Sequence, residues 1–221
     1  MSGLELAVAG VRVEARISGA LWIAAQSSLV VADAHFEKGS AFAARGQLLP
    51  PYDTGETLAR LEHEVEALTP RRIVFLGDAW HDCEADARLP PTYAQRFAAL
   101  ARGRTLVWIA GNHDAAAPRN LPGEAAERIE LGALVLTHEP AEAHVHAELA
   151  GHLHPCAHVR GAGRRRCFAG DGGRLILPAF GAYAGGLNVR DPAIASRLGP
   201  RRYAAVLGRT RVHTVPWRAL A

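Results

Sequence analysis

The chain has 221 residues, 49% of them hydrophobic, and a net charge of +3. That is enough apolar chain for a substantial buried core, read as one α/β domain over residues 1–221. Three scattered cysteines (Cys83, Cys156, Cys167) make no disulfide framework, and the first sixteen residues lack a secretory pattern. The most apolar later run, Leu175–Leu187, is broken by Pro178 and glycines, which excludes a membrane helix there. The expectation is a soluble, reduced, cytoplasmic protein.

The charge is unevenly placed. Residues 1–154 carry 13 Lys and Arg against 20 Asp and Glu, whereas residues 155–221 carry 12 Arg against Asp171 and Asp191 alone. A basic C-terminal third is a candidate footprint for a polyanion. Composition bias toward Arg (Lys38 is the one lysine) explains the choice of cation but not the scarcity of acids.

In chain order, Leu4–Ala25 alternates around Gly10 and Gly19, predicting two or three antiparallel strands at a sheet edge. Ser28–Ala32 predicts the first buried strand, and Phe36–Tyr52 a polar loop or lid. Asp53–Leu68 predicts an amphipathic helix with Leu58, Leu61, Val65 and Leu68 as its stripe, Asp53 as its cap and Glu56 at capping-box spacing. Ile73–Leu76 is the next strand, followed by an acidic loop. A helix from Pro91 to Arg102, stopped by Gly103, leads into the strand Thr105–Ala110. This β-α-β-α-β alternation implies right-handed crossovers and a largely parallel central sheet. The remainder reads as strands at 128–131, 134–136, 156–160, 175–177 and 203–215.

The buried runs end in residues suited to metal or phosphate chemistry: Asp33-Ala-His35, Gly77-Asp78, Gly111-Asn-His-Asp114, Thr137-His138 and Gly151-His-Leu-His154. In open α/β sheets the carboxyl ends of strands are where chemistry sits. Each piece alone is weak, since a strand-end Asp is usually a turn former and an isolated His a surface group. The ordered set is not weak. Alternate strand positions place His152 and His154 on one face. Asp33, His35, Asp78, Asn112, His113, His138, His152 and His154 are more groups than one cation needs. They suit two divalent ions, Mn(II) first, with Fe(II) or Zn(II) meeting the same ligand criterion.

The ordered motifs resemble those of the calcineurin-like binuclear metallophosphoesterases. The resemblance implies a four-layer α/β/β/α sandwich. It implies Asp33, His35 and His154 as ligands of the first metal, Asp78 as the bridging carboxylate, and Asn112, His138 and His152 as ligands of the second. His113 is then the histidine that contacts phosphate and protonates the leaving group, with Asp114 orienting it. More narrowly, Asp33–Ser40, Arg45–Thr54 and Leu177–Leu187 are similar to the ligase-associated DNA damage response endonucleases (PdeM type). That likeness implies single-stranded or flexible DNA as substrate and a helicase, an exonuclease and an ATP-dependent ligase as partners. The second motif reads Gly77-Asp-Ala-Trp-His-Asp82, where phosphoprotein phosphatases have G-D-x-x-D-R-G. Substrate choice therefore lies outside that analogy, and His81 joins His113 and Asp114 as a candidate catalytic residue.

The resulting expectation is a metal-dependent phosphodiesterase acting as a DNA endonuclease in repair. Its rivals are a phosphodiesterase or phosphatase for small nucleotides and a non-catalytic metal-binding scaffold. Arg164, Arg165 and Arg166 are candidate substrate contacts at a hairpin tip, against the plainer reading of a solvated turn. His144 and His146 repeat the H-x-H spacing in a polar loop and are expected at solvent. Cys156 lacks the C-x-x-C partner of a structural zinc site, and the glycines at 181, 185 and 186 precede no G-K-[ST].

Overall fold

The structure is a computed structural model that describes residues 3–143 and 145–220. Strands β1 (Leu4–Val8), β2 (Val11–Ala15) and β3 (Leu21–Ile23) fold back on one another, and β3 pairs antiparallel with β4 (Ser28–Val31). From there the direction is kept. β4, β5 (Arg72–Leu76), β6 (Thr105–Ile109) and β7 (Glu124–Ala126) run parallel, in sequence order. Parallel neighbours need crossovers. Helices α1 (Lys38–Ala44) and α2 (Asp53–Leu68) supply the first, and α3 (Ala85–Arg88) and α4 (Pro91–Ala101) the second.

The second sheet is mixed. Its strands are β8 (Arg128–Leu131), β9 (Leu134–Thr137), β10 (Glu148–Ala150), β11 (Pro155–Val159), β12 (Gly163–Gly170), β13 (Arg174–Ile176), β14 (Leu187–Asn188), β15 (Tyr203–Leu207) and β16 (Val212–Pro216). The order is β14-β11-β12-β13-β10-β9-β8, with β15 joined to β12 and β16 to β15. β10 lies parallel between β9 and β13.

The period-two pattern of the first sheet decides where the core sits. Val30, Val74 and Val107 face Leu136, Leu149, Phe168 and Leu175 of the second sheet. Their neighbours Leu29, Val31, Ile73, Phe75, Leu106 and Trp108 face Leu58, Leu61 and Val65 of α2 and Phe97 and Leu100 of α4. Both faces are covered, which is why these strands read as continuous apolar runs. The outer face of the second sheet packs Ala157, Cys167, Ile176 and Val206 under Ile194 of α5 (Pro192–Ala195), Leu198 and Leu220. Helical cover is therefore heavy on one side and slight on the other.

Several expectations need correcting. The 36–52 segment holds α1 rather than being loop throughout. Two contacts from α2 anchor it: Asp53 Oδ2 accepts the Gly39 N–H at 2.8 Å and Thr54 Oγ1 accepts the Glu37 N–H at 2.8 Å. Asp53 thus joins two helices instead of capping one, and Tyr52 is the N-cap of α2 with no side-chain bond. Residues 203–215 are a hairpin, β15 and β16, rather than one strand. β10 and β12 carry no clear alternation and were not anticipated. The antiparallel strands expected over residues 4–25 and the parallel sheet expected after them are both present, as β1 to β3 and β4 to β7.

One buried pair ties the second sheet to the loop after β9. Glu148 and Arg174 are register partners on β10 and β13, 2% and 1% exposed at their side chains, and their charged groups touch. Glu148 Oε1 also accepts the Ala141 N–H at 3.1 Å, and Arg174 donates to the Ala143 carbonyl at 2.8 Å. Glu148→Ala strands a buried guanidinium. Denaturant unfolding should show a loss of about 3–5 kcal/mol. A loss near that of an exposed pair, below about 1 kcal/mol, would show that the backbone acceptors alone satisfy Arg174.

Candidate metal centre

The motif residues all lie just past strand ends, where the two sheets meet. Asp33 and His35 follow β4, Asp78 follows β5, and Asn112 to Asp114 follow β6. His138 follows β9, and His152 and His154 lie between β10 and β11. The chain there is bent hard. Asp33, His35, Asp78, His152 and His154 have φ of 52°, 45°, 45°, 67° and 44°. Such left-handed conformations cost non-glycine residues about 1–3 kcal/mol each and cluster at functional sites. Two glycines make room for close approach. A Cβ on Gly77 would strike the His138 ring, and one on Gly111 would strike the Asp78 backbone nitrogen and carboxylate.

Two groups of donors result, each with its ligating atoms within 4.8 Å of one another: Asp33, His35 and His154, and Asp78, His138 and His152. In the first, His35 Nε2 faces His154 Nε2 at 3.3 Å, and His154 Nε2 lies 3.4 Å from Asp33 Oδ1. In the second, His138 Nε2 lies 3.5 Å from Asp78 Oδ2 and 2.9 Å from Asn112 Oδ1. The Leu76 carbonyl, 3.2 Å from His138 Nδ1, can only accept, so it places a proton on Nδ1 and turns Nε2 toward the group. Asp33 accepts the His152 N–H at 2.9 Å, and Asp78 Oδ1 accepts the His113 N–H at 2.9 Å. Each carboxylate thereby pins a second loop.

The charges confirm how tightly the groups are set together. Burial, reinforced by His154, pushes the His35 imidazole down to about 3. Burial opposes the ionised Asp78, but the His138 hydrogen bond and the His113 N–H outweigh it and hold the carboxyl well below the usual range. Burial likewise opposes a charged His138, yet Asp78 and Asp33 raise it to about 9. A cation bound through His138 Nε2 must displace that second proton.

Other expected residues fall elsewhere. Gly151–His154 is a turn rather than a strand, and the positive φ at both histidines sends their rings to different groups. Asp114 does not orient His113. Its Oδ2 accepts the Trp80 N–H at 2.9 Å, burial raises its carboxyl to about 7, and His113 Nδ1 instead faces the His81 carbonyl at 2.9 Å. Arg164, Arg165 and Arg166 lie on β12, opposite His158, Ala157 and Cys156 of β11, and not at the hairpin tip. Arg166 is turned inward onto the Ala179 carbonyl at 2.8 Å, and Arg164 is exposed and touches the Gly186 carbonyl. Cys156 is buried, and among the described residues it belongs to no donor group. His146 is exposed, and His144 lies outside the described residues.

No family model matches the chain, and no curated protein sequence does. Among solved structures, the chain is similar to the Pseudomonas putida nuclease MPE. They share 28% identity over 97% of this chain and 100% of that one, with a TM-score of 0.75. It is also similar, at 14% identity and a TM-score of 0.40, to the Escherichia coli phosphoesterase Yfce, over 86% of this chain and 98% of that one. The likeness to the Pseudomonas putida nuclease is consistent with a calcineurin-like metallophosphoesterase.

The same likeness supports reading the chain as a phosphodiester hydrolase. Its donor set is all oxygen and nitrogen, which fits hard-to-borderline divalent cations. Among the described residues, the buried His35 Nδ1 has no hydrogen-bond partner. Among the described residues, no helix is long and apolar enough to cross a membrane. Two neighbours of the site went unread in the sequence. Glu139 Oε1 lies 3.9 Å from His152 Nε2, and His35, His81 and His113 form a third convergent group. The Thr-His-Glu continuation after β9 was the available signal for Glu139. None marked the third group, because it depends on how three loops meet.

Proposed function

We propose that the chain is a metal-dependent nuclease that cuts single-stranded or flexible DNA in repair, of the PdeM type. The observation that carries this reading is the pairing of two donor groups with an exposed histidine, His113, whose backbone N–H is held by Asp78 of the second group. Asp33, His35 and His154 would hold one divalent ion, and Asp78, Asn112, His138 and His152 the other, with Mn(II) first among the candidates. When bound, the pair supplies Lewis-acid charge that stabilises the attacking and leaving oxygens of a phosphoryl displacement and acidifies water.

The chain's own groups do the rest. His113 Nδ1 faces a carbonyl, which can only accept, so Nδ1 carries a proton and Nε2 is the atom that exchanges one. Its side chain is 47% exposed, with Nε2 4.0 Å from Asp78 Oδ2. There it protonates the departing sugar oxygen. The His81 ring stacks on His113 with centroids 5.4 Å apart and an interplanar angle of 22°. Burial, followed by the Lys38 charge, lowers its pKa, so His81 acts as a neutral imidazole toward phosphate. Asp114 serves by holding the Trp80 turn.

An assay of metal-reconstituted protein tests the reading. Aryl diester and single-stranded DNA should both be cut, the matching monoester poorly. Replacing Arg164 and Arg165 by Ala should weaken DNA cleavage and lower its salt slope by about one per lost phosphate contact. Cleavage of cyclic or free nucleotides in preference to DNA would sink the proposal.

A further inference from the structure

α1 leaves the Asp33-Ala-His35 turn and carries three side chains to the rim of the metal centre. The half-buried Phe42 ring lies 5.7 Å from the His81 ring, tilted by 40°. His81 in turn stacks on the exposed His113. Phe42, His81 and His113 thus form a run of flat rings ending at the proposed leaving-group acid. Cations line this run. Lys38 Nζ sits 5.9 Å from the Phe42 centroid, held at 3.0 Å from the Tyr183 carbonyl. Lys38 and Arg45 both bear electrostatically on His81, and Arg45 is exposed. The following loop adds Leu48 and Tyr52, exposed by 88% and 68%, and is tethered where Tyr183 Oη donates to the Pro50 carbonyl at 2.9 Å.

Flat rings flanked by positive charge are what a single nucleic-acid strand recognises: bases stack on the rings and phosphates follow the cations. Bases within a duplex already have both faces covered by their neighbours. We propose that Phe42, flanked by Lys38 and Arg45, is a stacking subsite for an unpaired base beside the scissile phosphate. The subsite makes the enzyme select unpaired strands. This rests on the nuclease reading above and adds to it the residue that tells single from double strand.

The test compares a single-stranded oligonucleotide with the same strand bearing abasic residues around the cut position. The phosphates are kept and the stacking faces removed. Wild type should prefer the base-bearing strand by about 5- to 150-fold in kcat/KM, the range given by one to three kcal/mol of stacking per base. Phe42→Ala should erase that preference, and Phe42→Trp should restore it. In chelator, where nothing is cut, binding should quench a 2-aminopurine placed at that position in wild type and Phe42→Trp but not in Phe42→Ala. Equal loss on both strands in Phe42→Ala would show that Phe42 only supports His81, and would overturn the subsite. So would a wild type indifferent to the bases. A wild type that hydrolyses an aryl diester but cuts neither strand would instead overturn the nuclease reading.

Discussion

Asp78→Asn is expected to empty both donor groups of metal and to lower phosphodiesterase activity by well over the 10–100-fold typical of an outer-shell partner. The carboxylate touches His138 of the second group, and the charges of His138 and His35 act on it from both sides. Asparagine keeps the volume and one acceptor for the His113 N–H, so the loop after β6 should survive. Only the charge is removed. Elemental analysis should fall from two ions per chain toward none, with an unfolding midpoint close to that of wild type. If wild type saturates at one ion, or if Asp78→Asn keeps both, the carboxylate is not shared and the two groups are independent sites.

His113→Ala should retain both ions yet fail selectively on substrates with poor leaving groups. A deoxyribose oxygen departs as a strongly basic alkoxide, so a positioned proton donor is worth about 10²–10⁴-fold. A nitrophenolate leaves readily without one. The loss on DNA should therefore exceed the loss on an aryl diester by most of that factor, compared at matched metal content. The hydrogen bond that Asp78 accepts comes from the His113 backbone N–H, which alanine keeps, so the loop after β6 should hold its place. Equal losses on both substrates would assign His113 to phosphate binding. Loss of metal would place its ring among the ligands.

The legible parts of the chain were those set by local pattern. Leu29 to Val31, Ile73 to Leu76 and Leu106 to Ile109 read as strands because both their faces are buried. α2 read as a helix because it carries one apolar stripe, and α4 because a proline starts it and Gly103 follows it. The order of the aspartates, histidines and Asn112 at strand ends likewise pointed to the residues that now converge. What escaped depended on distant partners. α1 exists because Asp53 and Thr54 catch its first turn, and neither contact has a local signature. Asp114 looked like the partner of His113 because they are adjacent, yet adjacent residues on an extended turn point apart, and the Trp80 N–H takes the carboxylate. The arginines of β12 looked like a loop because three charges in a row hide the alternation that sends Arg166 inward.

The first donor group draws Asp33 and His35 from one sheet and His154 from the other, and Asp33 grips the His152 backbone across 119 residues of sequence. Contacts of such long range form late, after the intervening chain has been ordered. During synthesis the N-terminal part folds first. The parallel strands β4 to β6 can assemble while the second sheet is still emerging, but at that stage they offer half a site. The first donor group is thus complete only when His154 has docked. A chain whose synthesis stops before His154 keeps Asp33 and His35 but lacks the donor that completes their group.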